Sequence, residues 1–221
     1  MNFRVKTLEN LSKIILEDEF DDEWQNEDAY EGDLSGDVFV EFFKRNKRGN
    51  QILDIGCGCG DVFEKLPEIT HAIEPNDERR RRASEKTKTV CVRYGWSENI
   101  EFIDKFFNTV LMWGTFTFVR SPMETLYEVN RVLIPRGVFI FDVVVQSTLP
   151  IAQTVSPGCF INWAGLFGFH PLERRFFGPQ HHLRMALALE KIHDFDHRRF
   201  LMPQVKGSMN NYLETRDWYL K

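Results

Sequence analysis

Residues 51–61 place a carboxylate, Asp54, beside three glycines at alternate positions, Gly56, Gly58 and Gly60. Gln51 to Ile55 has the makings of a short apolar strand, and the glycines form the turn that leaves it. Glycine has no Cβ, so such a turn can bend tightly and let a ligand lie against the backbone. The spacing predicts an amphipathic helix beginning at Asp61 and continuing through Val62, Phe63 and Leu66. The N–H groups and dipole at its start would favour an anionic group. A dinucleotide-binding turn reads GxGxxG and would need glycine where Asp61 stands. The pattern here is D-x-G-x-G-x-G, which argues against a nicotinamide oxidoreductase. With no ligand, the same residues would make only a tight strand-to-helix connection.

Glu74 lies twenty residues beyond Asp54, the separation expected of an acid that holds a ribose. It closes the short run His71-Ala72-Ile73, which predicts a second strand, and Pro75 and Asn76 follow. A carboxylate at a strand end can accept from both ribose hydroxyls, and it can also be a plain exposed acid. Further strands are predicted near 89–94, 108–113 and 138–145. Between the last two, Ser121-Pro122-Met123-Glu124 reads as a capping box with proline at the first helical position. Leu126, Val129 and Val132 or Leu133 supply one apolar face of that helix.

In this order the segments resemble the class I S-adenosylmethionine-dependent methyltransferases, and among them the type 11 family, which is similar to the ubiquinone/menaquinone methyltransferases. The turn at 54–60 matches motif I and Glu74 the motif II acid. Residues 91–102 match a strand and loop that usually read G-x-A-E-x-L-P-F. Phe107-Asn108-Thr109-Val110 matches F-D-x-V, with Asn108 for the aspartate. Residues 128–137 match E-x-x-R-V-L-K-P-G-G, with Arg136 for the first glycine. The resemblance implies S-adenosylmethionine as cofactor, S-adenosylhomocysteine as product, and a set of contacts. Asp54 would hold the ammonium, with the backbone of Gly56, Gly58 and Gly60 beside the methionine and ribose and Glu74 at the ribose, and Cys57 and Pro75 belong to the same cofactor-binding set. Trp96 and Ser97 would be at the adenine, and Trp113 and Tyr30 complete the cofactor set, Tyr30 near the methionine end. Trp96 departs from the small or acidic residue usual there, and it either packs on the adenine or plugs the core.

The implied fold is α/β: a Rossmann-like, doubly wound, mostly parallel sheet of seven strands with helices on both faces. Its order is 3-2-1-4-5-7-6, with the last strand antiparallel. The remaining strands are expected near 194–202 and 211–220. The stretch from Arg174 to Leu189 resembles the family's helix entry, F-F-T-x-E-x-L. Residues 1–48 are expected to form a helical and acidic cap segment and 49–221 a single methyltransferase domain. An acceptor-side insertion is expected at about 146–180, where Phe160, Trp163, Phe167, Phe169, Phe176 and Phe177 gather.

Residues 17–37 hold eleven acids and no Lys or Arg, so a net charge of −5 leaves 22 acids against 28 bases, or +6, for the remainder. The acid run suits a solvated segment or a lid carrying Tyr30. The basic run Arg79 to Arg82 falls on one helix, and without clustering or a stacking platform nucleic-acid binding is not expected. No apolar run reaches membrane-spanning length and 1–9 lack a signal pattern. Cysteines 57, 59, 91 and 159 read as fillers in a reducing cytoplasm, with no metal site.

Methyl transfer from a sulfonium is an in-line displacement in which positioning carries most of the rate. Residues 114–120, after the fourth strand, hold no base. That suits an acceptor such as a carboxylate, amine, thiolate or activated carbon, unless His170, His181 or His182 serves. No catalytic residue is assigned. The expectation is methyl transfer to a small molecule, with a non-catalytic cofactor- or partner-binding protein on the same scaffold as the alternative.

Overall fold

The computed structural model describes residues 35–147, 157–178 and 182–195. Asp37 opens the compact unit that contains the sheet. Its elements run α1 Ser35–Asn46, β1 Ile52–Ile55, β2 His71–Ile73, α2 Asp77–Lys86, β3 Cys91–Arg93 and β4 Phe107–Met112. After a 3-10 turn at Phe116–Phe118 come α3 Pro122–Val132, β5 Leu133–Ser147, α4 Pro157–Leu166, β6 Phe169–Phe177 and β7 His182–Lys191. The strands form one seven-stranded sheet of order β3-β2-β1-β4-β5-β7-β6. β1 to β5 are mutually parallel, and β7 runs antiparallel to both of its neighbours. The expected fold class and order are therefore those observed.

Apolar residues alternate along the central strands and fill both sides of the sheet. Phe139, Phe141, Val143, Met185, Leu187 and Leu189 join one core with Leu126, Val129 and Val132 of α3. Ile52, Leu111, Val138, Ile140, Ala186 and Ala188 join the other. The alanines leave room there for Phe39, Phe42 and Phe43 of α1, all without exposed surface. Fully burying one such ring contributes about 1.5–3 kcal/mol, so this part of the expected 1–48 segment packs with the sheet.

Two elements differ from the sequence reading. No regular helix follows the glycine turn: residues 61–65 are a run of turns, with Leu66 N–H donating to Val62 O at 2.9 Å. Pro67 ends it, since proline cannot donate and disfavours helical backbone before it. The helix-dipole argument for an anion site therefore falls. The second difference is the closing hairpin. The sixth and seventh strands are Phe169–Phe177 and His182–Lys191, earlier than the expected 194–202 and 211–220. Leu183 and Leu187 fit a helical spacing of four, but Met185 and Leu189 complete a period of two. Ala186 and Ala188 pack on the opposite face, as a strand buried on both sides requires. Residues 196–221 lie outside the described residues.

The departures from the family pattern have local explanations at the far end of the sheet. Asn108 Oδ1 accepts Gln51 N–H at 3.0 Å and Asn50 N–H at 3.2 Å, the work a carboxylate would do at that position. Arg136 has φ +68, the left-handed region that favours the glycine it replaces. Its side chain pairs with the buried Glu190 at 2.9 Å. Glu128 and Arg131 clamp α3 to the loop before β4. The Glu128 carboxylate accepts Ile100 N–H at 2.8 Å, while Arg131 donates to Ile100 O at 2.6 Å and Phe102 O at 2.8 Å. The buried Lys191 donates to Asn130 O and Leu133 O, capping the end of α3.

Candidate functional site

β1, β2 and β4 deliver their carboxyl ends to one place, where the strand order reverses between β1 and β4. Asp54 is the penultimate residue of β1, only 2 % exposed, with Oδ2 lacking any hydrogen-bond partner. Burial, and secondarily the neighbouring Glu74, push its carboxyl up to about 7. A buried acceptor without a donor calls for a cationic or N–H group.

Glu74 stands one residue past β2 and is buried. Its Oε2 accepts Gly58 N–H at 2.9 Å and its Oε1 accepts Asn76 N–H at 3.0 Å. The motif II acid thus holds the glycine turn in shape. Each carboxylate oxygen keeps a further lone pair for another donor.

Gly56, Gly58 and Gly60 all have positive φ, from +55 to +78, so each position needs glycine on conformational grounds. Their surroundings differ. A Cβ on Gly56 would lie 2.3 Å from Thr115 Cγ2, and one on Gly60 2.7 Å from the Phe63 ring, whereas one on Gly58 meets nothing within 4 Å. Gly58 is therefore the open floor of the turn. Cys57 is buried between them, and burial with Asp54 and Glu74 nearby pushes its thiol up, so it is an inert filler. Among the described residues no His, Cys, Asp or Glu cluster could hold a metal.

Trp96 is 37 % exposed, which removes the core-plug alternative. Its indole N–H donates to Tyr94 Oη at 2.9 Å, and the Arg120 guanidinium lies 4.6 Å from its ring centre. Ser97 Oγ is turned inward, donating to Glu98 and accepting from Thr125 at 3.0 Å. Pro75 is half-buried beside Glu74. Trp113 stacks on Phe39 with ring centres 4.7 Å apart, and Gly114 and Thr115 follow. Thr115 Oγ1 donates to Gly56 O at 3.1 Å, tying the end of β4 to the glycine turn. Tyr30 and His181 lie outside the described residues, as does the side chain of His182, and His170 is exposed on β6. Phe160, expected in an acceptor wall, has no exposed surface and packs against Phe116 and Phe141 in the core.

Sequence reasoning did not single out Asp142 and Arg184. Asp142 is buried in β5, and its Oδ1 accepts Gly114 N–H at 2.7 Å. Arg184 of β7 pairs with its Oδ2. Burial pushes the Asp142 carboxyl up despite that partner. A charge set inside an apolar run of each strand, Asp142 between Phe141 and Val143 and Arg184 between Leu183 and Met185, is the signal that could have found them.

A sheet of this order with an acid-and-glycine site at its switch point defines the class I methyltransferase fold. Residues 53–141 match the methyltransferase domain family, type 11. The demethylmenaquinone methyltransferase of Symbiobacterium thermophilum is 28 % identical over 127 residues, 52 % of this chain and 49 % of that protein. The chain therefore spans about half the length of that relative. A solved methyltransferase from Thermotoga maritima superposes with a TM-score of 0.61 at 20 % identity, covering 71 % of this chain and 89 % of its own. The [4+2]-cyclase SpnF superposes at 0.63 with 14 % identity, covering 71 % and 81 %. These two show the fold alone. No helix among the described residues is long and apolar enough to cross a membrane.

Proposed function

We propose that the chain binds S-adenosylmethionine and transfers its methyl group to a small-molecule acceptor. The observation that carries this reading is the Asp54 Oδ2 atom, buried and unpartnered at the end of β1, two residues from an open glycine turn held by Glu74. The residues present fit the cofactor. Asp54 offers an anion to an ammonium group, the Gly58 backbone leaves space where a side chain would stand, and Glu74 has lone pairs left for ribose hydroxyls. The Trp96 indole, with the Arg120 guanidinium against it, supplies a stacking surface for a purine, and Trp113 borders the methionine end. When bound, the cofactor supplies an activated methyl group on a sulfonium.

The protein's share is to orient and to exclude water. Residues 114–120 present no side chain that ionises near neutrality, so an acceptor whose nucleophile is already deprotonated, or needs no deprotonation, suits the site. The small-molecule class draws support from the type 11 domain and from what the Symbiobacterium relative is named for. Calorimetry with S-adenosylhomocysteine and NAD tests the cofactor. The expected result is micromolar binding of the first and none of the second. Release of S-adenosylhomocysteine from S-adenosylmethionine with a metabolite panel tests transfer. Binding without turnover on any acceptor would favour the non-catalytic alternative.

A further inference from the structure

We infer that Arg184 forms a carboxylate-binding subsite beside the donor position, reached over Gly114. This rests on the donor site proposed above for its meaning, but not for its geometry.

Arg184 lies on β7 opposite Val144 of β5. Because β7 is antiparallel, its first residues stand at the carboxyl ends of β4 and β5, the end where Asp54 and Glu74 also stand. The connection to the glycine turn is short. A Cβ on Gly114 would be 3.4 Å from Arg184 Nη2, and Thr115, the next residue, bonds to Gly56 O.

The guanidinium is held from two sides. Asp142 touches Nη2 as an ion pair, and the Phe177 ring lies beneath at 5.6 Å. Arg184 Nε is buried and has no acceptor. The side chain is 13 % exposed, so part of it reaches the surface. A structural ion pair would be expected to satisfy its own N–H groups, because a buried donor without an acceptor is costly. Here one carboxylate fixes the arginine in place and leaves Nε without an acceptor.

A planar guanidinium with an unpartnered Nε–H, on an aromatic floor, selects a planar anion with two acceptor oxygens. A carboxylate fits that description. It also fits the rest of the site, since a carboxylate that is itself the methyl acceptor needs no general base among residues 114–120. The carboxylate has two possible sources, the acceptor or the amino acid end of the cofactor itself.

The test titrates benzoate and malonate, with benzamide and malonamide as uncharged counterparts, into the full chain with and without S-adenosylhomocysteine. S-adenosylhomocysteine and 5'-methylthioadenosine, which lacks the amino acid end, are titrated separately. The variants are Arg184→Gln and the double change Asp142→Asn with Arg184→Gln, which leaves no unpaired buried charge if the single change fails to fold. An acceptor site predicts at least tenfold preference for a carboxylate over its amide in the wild type. Both variants should lose it, with affinity for methylthioadenosine kept within twofold. A donor site predicts instead that the variants weaken S-adenosylhomocysteine tenfold or more and leave methylthioadenosine alone. Equal binding of carboxylates and amides, together with unchanged S-adenosylhomocysteine affinity in the variants, overturns the inference. A carboxylate preference in a protein that binds no S-adenosylhomocysteine would sink the donor reading and leave the subsite standing.

Discussion

Glu74 and Gly58 are joined by a hydrogen bond of 2.9 Å from the Gly58 N–H to Oε2, so the two ends of the proposed cofactor site are one mechanical unit. The acid after β2 shapes the turn after β1, and each depends on the other. Replacing Glu74 by alanine should therefore remove a ligand partner and loosen the turn together. Charge-assisted hydrogen bonds contribute about 1.5–3 kcal/mol each. Glu74→Ala should weaken S-adenosylhomocysteine tenfold or more, and Glu74→Gln, which keeps one acceptor oxygen, should lose less. Calorimetry showing no change for the alanine variant would remove Glu74 from the site.

Asp54 sets a pH dependence. Its carboxyl is raised from 3.8 to about 7, by burial first and Glu74 second. A raised acid stabilises the fold fully below its unfolded value, and that contribution is lost as pH rises through the folded value. Ligand-free protein should lose stability between roughly pH 4 and 7 relative to Asp54→Asn, by at most about 4 kcal/mol. Ligand affinity should run the other way. An ammonium partner needs the ionised form, so S-adenosylhomocysteine should bind more tightly up to about pH 7 and then level off. A flat profile in the wild type would contradict the pairing.

The glycines should separate by kind of failure. Gly58→Val meets open space, so it should abolish cofactor binding while costing about 1–2 kcal/mol of backbone strain. Gly56→Ala collides with Thr115 and should lower the melting temperature further. Thermal melts with and without ligand distinguish the two, and equal melting losses would mean that the Gly58 floor is not open.

Arg136→Gly relieves a left-handed backbone at a position whose side chain is mostly exposed, and Arg48 still pairs with Glu190 after the change. The expected result is a gain of about 0.5–1 kcal/mol in urea unfolding. A loss would show that the ion pair outweighs the strain.

Phe160→Ala should cost about 3–5 kcal/mol, since the ring is fully buried among aromatics. Trp163, 40 % exposed on α4, should cost far less when changed to alanine. If Trp163→Ala impairs methyl transfer per folded molecule, the acceptor-wall expectation survives at that residue. It does not survive at Phe160, which belongs to the core.

Local pattern determined much of this protein. The acid, the alternate glycines and Glu74 twenty residues on fixed β1, its turn and β2, because each needs only short-range geometry. Ser121 and Pro122 marked the start of α3, whose Ser121 Oγ accepts Glu124 N–H, because caps act within one turn. What failed was local ambiguity. Six residues between Gly60 and Pro67 carry helical spacing but are too few to propagate a helix. The run from Leu183 to Leu189 fits either period until the sheet supplies partners on both faces. The Asp142–Arg184 pair joins residues forty-two positions apart, through strands that meet only because β7 inserts between β5 and β6. No spacing in the chain announces that contact, since it arises from antiparallel register alone. The same holds for the inward turn of Ser97 and the exposed face of Trp96, which depend on what α3 and Arg120 leave uncovered.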